Sequence, residues 1–173
     1  MKRGIIMKEY DSSFTQIEQK IETLKSKSVS DFVELYNQVE NDIVEQKNLI
    51  RESLMPKNKQ EDERIREIAD KIHLHIQTGL ETYSSVDDIL NYLEPAFQRG
   101  KVDKTYGRAL VLLEENTMIQ QIKQKFKEDK YNVHLVNLVL DKFIELSLEI
   151  MPNSYSNILK LEQAYFKVYY DNM

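Results

Sequence analysis

One continuous apolar stretch, residues 132–151, constrains most strongly how this chain can fold. The stretch is long enough for a helix, and its polar side chains recur every three or four residues, so on a helix they form one narrow stripe. Apolar side chains fill the rest of the circumference, which is typical of a helix buried on most sides. The sequence therefore predicts a central helix surrounded by other helices. The polar stripe comprises His134, Asn137, Asp141, Glu145 and Glu149.

The composition favours an all-α fold that needs neither a disulfide nor a structural metal. The 173 residues include only four Gly and three Pro, too few for the many tight turns of a sheet-rich protein. The absence of cysteine excludes disulfides, thiolate catalysis and zinc sites built on cysteine. Charged residues make up 31% of the chain and the net charge is −5, which is an ordinary surface balance and no general signature of nucleic-acid binding.

No stretch has the length and uniform apolarity of a membrane span, because Asp141 and Lys142 interrupt the most apolar segment. The apolar run near the N-terminus is also too short for a signal peptide. We therefore expect a cytoplasmic protein that does not cross a membrane.

The first 55 residues predict a long helical hairpin with a flexible start. Residues 1–11 are expected to be a loose arm, and Ser13 with Gln16 has the capping-box spacing that opens a first helix. The second helix is expected to begin after Ser28 and to end at Leu54, before a proline. It carries a seam whose members are spaced as in about three heptads, with one polar residue among them. This seam comprises Phe32, Tyr36, Val39, Ile43, Gln46 and Ile50.

A short polar linker, residues 56–60, separates the hairpin (1–55) from a predicted helical core domain (61–173), one continuous domain being the alternative. Within the core domain, Gly79 and Gly100 are expected to end helices. Ser84 and Ser85, followed by Asp87 and Asp88, are expected to cap the start of a helix. Together these patterns predict an all-α, mainly antiparallel bundle of six to eight helices around the central helix at 132–151, with the hairpin at its N-terminus.

The sequence nominates no catalytic, cofactor or metal site. It contains no Gly-rich phosphate loop and no nucleophile elbow. His73 and His75 are two residues apart, so a helix turns them to different sides, and only Asp70 shares a face with His73. We therefore expect a protein without enzymatic activity, cofactor or metal. The polar stripe of the central helix could line a pocket, but its pattern favours a solvated edge.

Two surfaces are candidates for binding a partner protein or a second copy of the chain. The last helix carries apolar and aromatic side chains on two faces, of which one could be core and the other exposed. The heptad seam is longer than the first helix, so part of it must pack on the body of the chain or on a second copy. The candidate partner-binding residues are Tyr36, Val39, Ile43, Ile50, Phe166 and Tyr170.

These observations predict a non-catalytic helical protein-interaction or regulatory module that self-associates as a homodimer or binds another protein. The alternative is a nucleic-acid-associated factor that uses the basic segment 99–130, in which Lys123, Lys127 and Lys130 would share a helical face and contact phosphate. Acidic residues interrupt that cluster, which makes nucleic acid the weaker expectation. A small-ligand binder or enzyme with a polar pocket along the central helix is the third class. The sequence identifies neither the partner nor the biological process.

Overall fold

The structure is a computed structural model that describes residues 2–25, 29–127 and 130–171, with the side chains of residues 13–25, 32–127 and 132–168. All regular secondary structure in these residues is helical, which confirms the predicted all-α fold class. A π-helical segment, Leu110–Glu114, joins two of the α-helices. The α-helices are α1 (Lys2–Leu24), α2 (Val29–Leu54), α3 (Lys59–Thr82), α4 (Val86–Val102), α5 (Lys104–Ala109), α6 (Glu115–Lys125), α7 (Lys130–Ile150) and α8 (Asn153–Asp171).

The chain divides into two compact units. The first comprises Met1–Ser53 and Asn157–Met173, and the second comprises Leu54–Ser156. The first boundary lies just before the polar linker that the sequence marks. The second boundary falls inside α8, where no proline or glycine indicates a break. The second unit is therefore inserted into the sequence of the first.

Helices α1, α2 and α8 build the core of the first unit. Helix α1 begins at Lys2, so the predicted start at Ser13 is wrong, but its predicted apolar face is buried. An ion pair of 2.6 Å between Lys20 Nζ and Asp42 Oδ2 joins α1 to α2. Helix α2 ends at Leu54, as its following proline predicts. The buried apolar residues of this unit include Phe14, Ile17, Ile21, Leu24, Phe32, Val39, Ile43, Ile50, Ile158, Leu159, Phe166 and Val168.

The second unit consists of four helical rods: α3, α4, the continuous rod from α5 through the π segment to α6, and α7. Rods α3 and α4 run in opposite directions, because Gly79 lies against Tyr92 while the earlier Lys71 lines one cavity with the later Arg99. Each rod starts from a side-chain cap or follows a short link, as in an up-and-down bundle.

Contacts between non-neighbouring rods show that alternate rods run in the same direction. On α4 and α7, Glu94 pairs with Lys142 at 2.9 Å, and farther along both helices Lys101 pairs with Glu145 at 2.5 Å. The third rod runs parallel to α3 in the same way, because His73 contacts Glu114 near one end and Lys125 reaches the C-terminus of α3 at the other. Neighbours in sequence are therefore antiparallel, as predicted for this region.

Helix α7 confirms the prediction of a central apolar helix. Fully buried side chains recur along it, including Val136, Val139, Leu140 and Phe143. Its apolar arc is narrower than the sequence suggested, because Leu148 is 52% exposed. No helix in the described ranges has the length and apolarity needed to cross a membrane.

Two glycines that were expected to end helices lie inside them instead. Gly79 is in α3 and Gly100 is in α4, and both are buried. A Cβ on Gly79 would collide with the ring of Tyr92. A Cβ on Gly107, in α5, would lie 2.5 Å from the carbonyl oxygen of Gly100. The glycines therefore permit close packing between helices, which sequence patterns for helix ends do not distinguish from capping.

Candidate functional site

The candidate partner-binding residues lie mainly in the core of the first unit. Val39, Ile43, Ile50 and Phe166 are buried, and the side chain of Tyr170 lies outside the described residues. These four residues fit the alternatives that the sequence left open, namely packing of the seam within its own chain and a core position for the last helix. A partner could reach them only if α1 or α8 moved away, so their role in association stays a prediction.

Tyr36, the remaining candidate, is half-buried and stacks on Tyr165 of α8, with ring centroids 4.1 Å apart and planes at 18°. Burial raises the pKa of the Tyr165 phenol far above its ordinary value, and the neighbouring Tyr36 and Glu40 raise it further. Tyr165 therefore stays protonated at any physiological pH. This aromatic contact joins α2 to α8 within the first unit.

A buried ion pair is the main polar feature of the first unit. Lys47 Nζ on α2 lies 2.5 Å from Glu162 Oε2 on α8, and the two side chains are 2% and 9% exposed. The sequence predicted Gln46 as the inward polar residue of the seam, but Gln46 is only half-buried and Lys47 is the buried one. Burying two charges is costly unless they are paired closely, so this pair strongly disfavours any other register between α2 and α8.

Helix α2 also exposes apolar side chains on the side next to its buried side. Val33 is 59% exposed and Val44 is 44% exposed. The two are eleven positions apart, or about three helical turns, so they share one face. Asn37, which is exposed and uncharged, lies between them on nearly the same line. We call Val33, Asn37 and Val44 the outward face of α2.

The lysines predicted to contact phosphate do not share a helical face. Helix α6 ends at Lys125 and α7 begins at Lys130, so no continuous helix carries Lys123, Lys127 and Lys130. That part of the prediction is wrong. Lys123 is half-buried, Lys127 is exposed, and the side chain of Lys130 lies outside the described residues.

Other cations of the basic segment serve contacts within the second unit. Lys101 pairs with Glu145, and Arg108 Nη2 donates to the carbonyl oxygen of Leu54 at 2.6 Å. Lys125 Nζ donates to the carbonyl oxygens of Leu80 and Tyr83, at the C-terminus of α3. The sequence shows these residues as a charge cluster, but long-range contacts engage them in the fold.

A carboxylate on the π segment contacts the histidine that the sequence considered for a metal site. Glu114 is buried, and its Oε2 lies 3.3 Å from Nδ1 of half-buried His73 on α3. Burial raises the pKa of the Glu114 carboxyl, the bond and charge of His73 oppose that rise, and the nearby Asp70 adds to it. The pKa of this carboxyl therefore lies above its ordinary value. Sequence spacing missed Glu114 because it is far from His73 in the chain.

This cluster does not form a metal centre. Within the described ranges, no three Asp, Glu or His side chains are placed to hold one ion. Asp70 and His73 do share a side of α3, but Glu114 is the partner that His73 contacts. The π segment places a buried carboxyl beside a histidine, and such a site can shift the proton affinity of the carboxyl.

The polar stripe of α7 lies on its solvent side. His134, Asp141, Glu145 and Glu149 are exposed, and Asn137 is half-buried. The ammonium group of Lys101 holds the pKa of the Glu145 carboxyl below its ordinary value. Burial alone would raise the pKa of Glu94 on α4, but Lys142 and Gln98 lower it to a net value below the ordinary one. Glu145 of the stripe and the neighbouring Lys142 thus join α7 to α4 through two ion pairs. Ion pairs that are partly exposed each contribute little to stability.

No protein-family model, no curated protein and no solved structure matches this chain. Function therefore has to be inferred from the surfaces and side chains described above.

Proposed function

We propose that the protein is a non-catalytic helical module that acts by self-association, through the outward face of α2. The observation that supports this proposal is the exposure of Val33 and Val44 on one side of α2, next to the side that packs into the core. Exposed apolar side chains grouped on one face favour contact with another surface. A second copy of the chain is the simplest partner, because an isologous contact buries the same face on both protomers.

The spacing of the two valines predicts an antiparallel pair of α2 helices. Val33 and Val44 are separated by about 16 Å along the helix axis at 1.5 Å per residue. In an antiparallel two-fold pair, Val33 of one protomer would face Val44 of the other, and Asn37 would lie near the axis. In a parallel pair, each valine would instead face its own counterpart.

Cysteine cross-linking distinguishes these arrangements, since the chain contains no cysteine that would interfere. Val33→Cys and Val44→Cys variants are mixed under mild oxidation and analysed by non-reducing electrophoresis. We expect a covalent dimer in the mixture and none in either variant alone, because a disulfide requires Cα atoms within about 7 Å. Leu74→Cys, at an exposed position on α3, is the matched control and should not cross-link.

Sedimentation equilibrium provides the second test, on the unmodified chain and on the double variant Val33→Glu, Val44→Glu. We expect a concentration-dependent dimer with a dissociation constant of about 10–100 µM, which the charged variant loses while its helical content is unchanged. A chain that is monomeric at about 100 µM would contradict self-association. Cross-linking of Val33→Cys with itself would contradict the antiparallel arrangement.

The alternative of a nucleic-acid-associated factor has less support. Its basic segment includes Lys101, Arg108 and Lys125, which contact groups of the second unit itself. Nucleic-acid binding gains free energy when protein cations neutralise phosphates and release the counterions condensed on the nucleic acid. Cations that already contact groups of their own protein supply less of this free energy. No observed feature favours this alternative over self-association.

A further inference from the structure

A cavity of about 310 Å³ opens between α3, α4 and α5 in the second unit. Its apolar lining includes Ile72 and Ala96, both buried, and Pro95. Its polar lining contains cationic and neutral side chains but no aspartate or glutamate. The volume lies within the range of sites that hold small organic molecules. The polar residues of this lining are Lys71, His75, Arg99 and Tyr106.

The two cations at this cavity differ from the engaged cations of the basic segment. Lys71 and Arg99 are both exposed, and no carboxylate among the described residues lies within ion-pair distance of either. Elsewhere in this unit, Lys101 and Lys142 each have a carboxylate partner. Two cations without a partner at one concave surface create a local positive potential that attracts an anion.

Arg99 is held in position by an aromatic ring. Its guanidinium carbon lies 4.4 Å from the ring centroid of buried Tyr106, a cation–π distance. Burial raises the pKa of the Tyr106 phenol although Arg99 acts in the opposite direction. The phenol therefore keeps its proton and remains a hydrogen-bond donor. A guanidinium that is already oriented loses less side-chain entropy when it binds a planar or tetrahedral anion.

His75 is oriented in a similar way by Tyr92. The two rings stack with centroids 4.4 Å apart, and the Tyr92 hydroxyl lies 3.1 Å from His75 Nδ1. When this hydroxyl donates to Nδ1, the neutral imidazole carries its proton on Nε2 and can donate from there. The cavity therefore combines an ammonium, a guanidinium and an imidazole on two antiparallel helices.

We propose that this cavity binds a small phosphate monoester, with the phosphoryl group on Lys71, Arg99 and His75 and the organic group against Ile72, Ala96 and Pro95. A phosphoryl dianion offers three acceptor oxygens, which suit several donors lining one cavity better than a carboxylate does. The volume exceeds the need of a phosphoryl group alone, so the apolar lining has room for a small organic group. This site is separate from the outward face of α2 and does not depend on self-association.

The test is a titration of the intact chain with phenyl phosphate, inorganic phosphate and benzoate, followed by backbone amide shifts in NMR spectra. We expect saturable shifts in residues 71–75 and 95–99, with phenyl phosphate binding most tightly of the three probes. Lys71→Ala and Arg99→Ala should each weaken phenyl phosphate binding about tenfold, because each removes a charge-assisted hydrogen bond.

Lys57→Ala is the matched control, since Lys57 is an exposed lysine that does not line the cavity. It removes the same charge and should change the affinity by less than about twofold. Lys71 is exposed, so Lys71→Ala keeps the test valid if Arg99→Ala fails to fold. The proposal is overturned if no saturable shift appears up to about 10 mM, if Lys57→Ala weakens binding as much as Lys71→Ala, or if inorganic phosphate binds as tightly as phenyl phosphate.

Discussion

At the scale of single residues, packing against distant parts of the chain limits the size and the charge of some side chains. Gly107 permits α5 to approach α4 so closely that an added Cβ would meet a backbone oxygen. Glu114 is a buried acid whose Oε2 lies 3.3 Å from Nδ1 of the half-buried His73. Both are consequences of long-range packing.

The substitution Gly107→Ala should destabilise the protein. Its Cβ would lie 2.5 Å from Gly100 O and 2.8 Å from Ile150 Cδ1, and a backbone atom cannot move aside as a side chain can. Overpacking of this kind lowers the free energy of unfolding by about 1–3 kcal/mol, although alanine favours a helix more than glycine does. Urea denaturation measures the change, with exposed Gln98→Ala on α4 as the control. A stabilised Gly107→Ala variant would show that α4 and α5 lie farther apart.

The substitution Glu114→Gln should change how stability depends on pH. Because the folded pKa of Glu114 is raised by burial, the folded state binds this proton more tightly than the unfolded chain does. The stabilisation from this group is complete below the unfolded pKa and is lost as the pH rises through the folded pKa. Glutamine stays neutral, so the variant should melt at a higher temperature than the unmodified protein at neutral pH, and the difference should shrink in acid.

Thermal melts between about pH 4 and about pH 8 test this prediction. Glu149→Gln, at an exposed position on α7, is the control and should change the melting temperature at neutral pH less than Glu114→Gln does. A Glu114→Gln variant that is less stable at neutral pH and recovers in acid would show that His73 stabilises the ionised carboxylate more than burial destabilises it.

At the scale of helices, the ends and irregularities are determined by contacts with other elements. Helix α4 begins at the cap Ser85, whose side chain accepts from the Asp88 amide, as the sequence predicted. Helix α3 instead runs through Gly79 to Thr82. Its C-terminus is capped by Lys125 of α6, which donates to two carbonyl groups there. The last carbonyl groups of a helix have no partner within it, so such a donor stabilises the end.

The substitution Lys125→Met should therefore loosen the C-terminus of α3. It preserves the apolar part of the side chain and removes the ammonium group, so we expect a loss of about 1–3 kcal/mol in the free energy of unfolding. Hydrogen exchange should become faster at the amides of residues 79–83. Lys127→Met is the control, because Lys127 is exposed and follows the end of α6. Equal effects of both substitutions would indicate a general charge effect.

Local patterns in the sequence predict the helices well and their long-range partners poorly. Residues 132–151 predict α7 because apolar residues around a helix need neighbours, and capping signals near Ser85 mark a helix start correctly. The seam of α2 has helical spacing whether it packs on its own chain or on another, so spacing alone cannot identify its partner. The buried pair of Lys47 and Glu162 was also beyond prediction, because a charged residue next to a seam ordinarily faces solvent.

At the scale of the whole molecule, the first unit is assembled from the two ends of the described chain. Its buried ion pair joins Lys47 on α2 to Glu162 on α8, two residues separated by the entire second unit in sequence. Such a pair adds little net stability compared with apolar residues, but removing one member takes an opposite charge away from a buried group. The pair therefore makes α2 and α8 depend on each other.

The substitution Lys47→Met should destabilise the protein by about 3–5 kcal/mol, because the buried Glu162 carboxylate loses the ammonium group that lies 2.5 Å from it. Adding Glu162→Leu should restore much of that loss, since both members of the pair are then apolar. Lys20→Met, which breaks the half-exposed pair with Asp42, is the control and should cost less than about 1 kcal/mol. A double variant as unstable as Lys47→Met alone would show that the loss does not come from removing the ammonium group beside Glu162.

The division of α8 between the two units has a consequence for the order of folding during synthesis. A ribosome makes α1 and α2 first, but the segment of α8 that covers them emerges only after the whole second unit has been made. The second unit is one continuous stretch of chain, Leu54–Ser156, so it can fold while the rest of α8 is still being added. Until then the apolar seam and Lys47 of the nascent α2 lack their later partner, so we expect the early chain to bind chaperones that recognise exposed apolar helices.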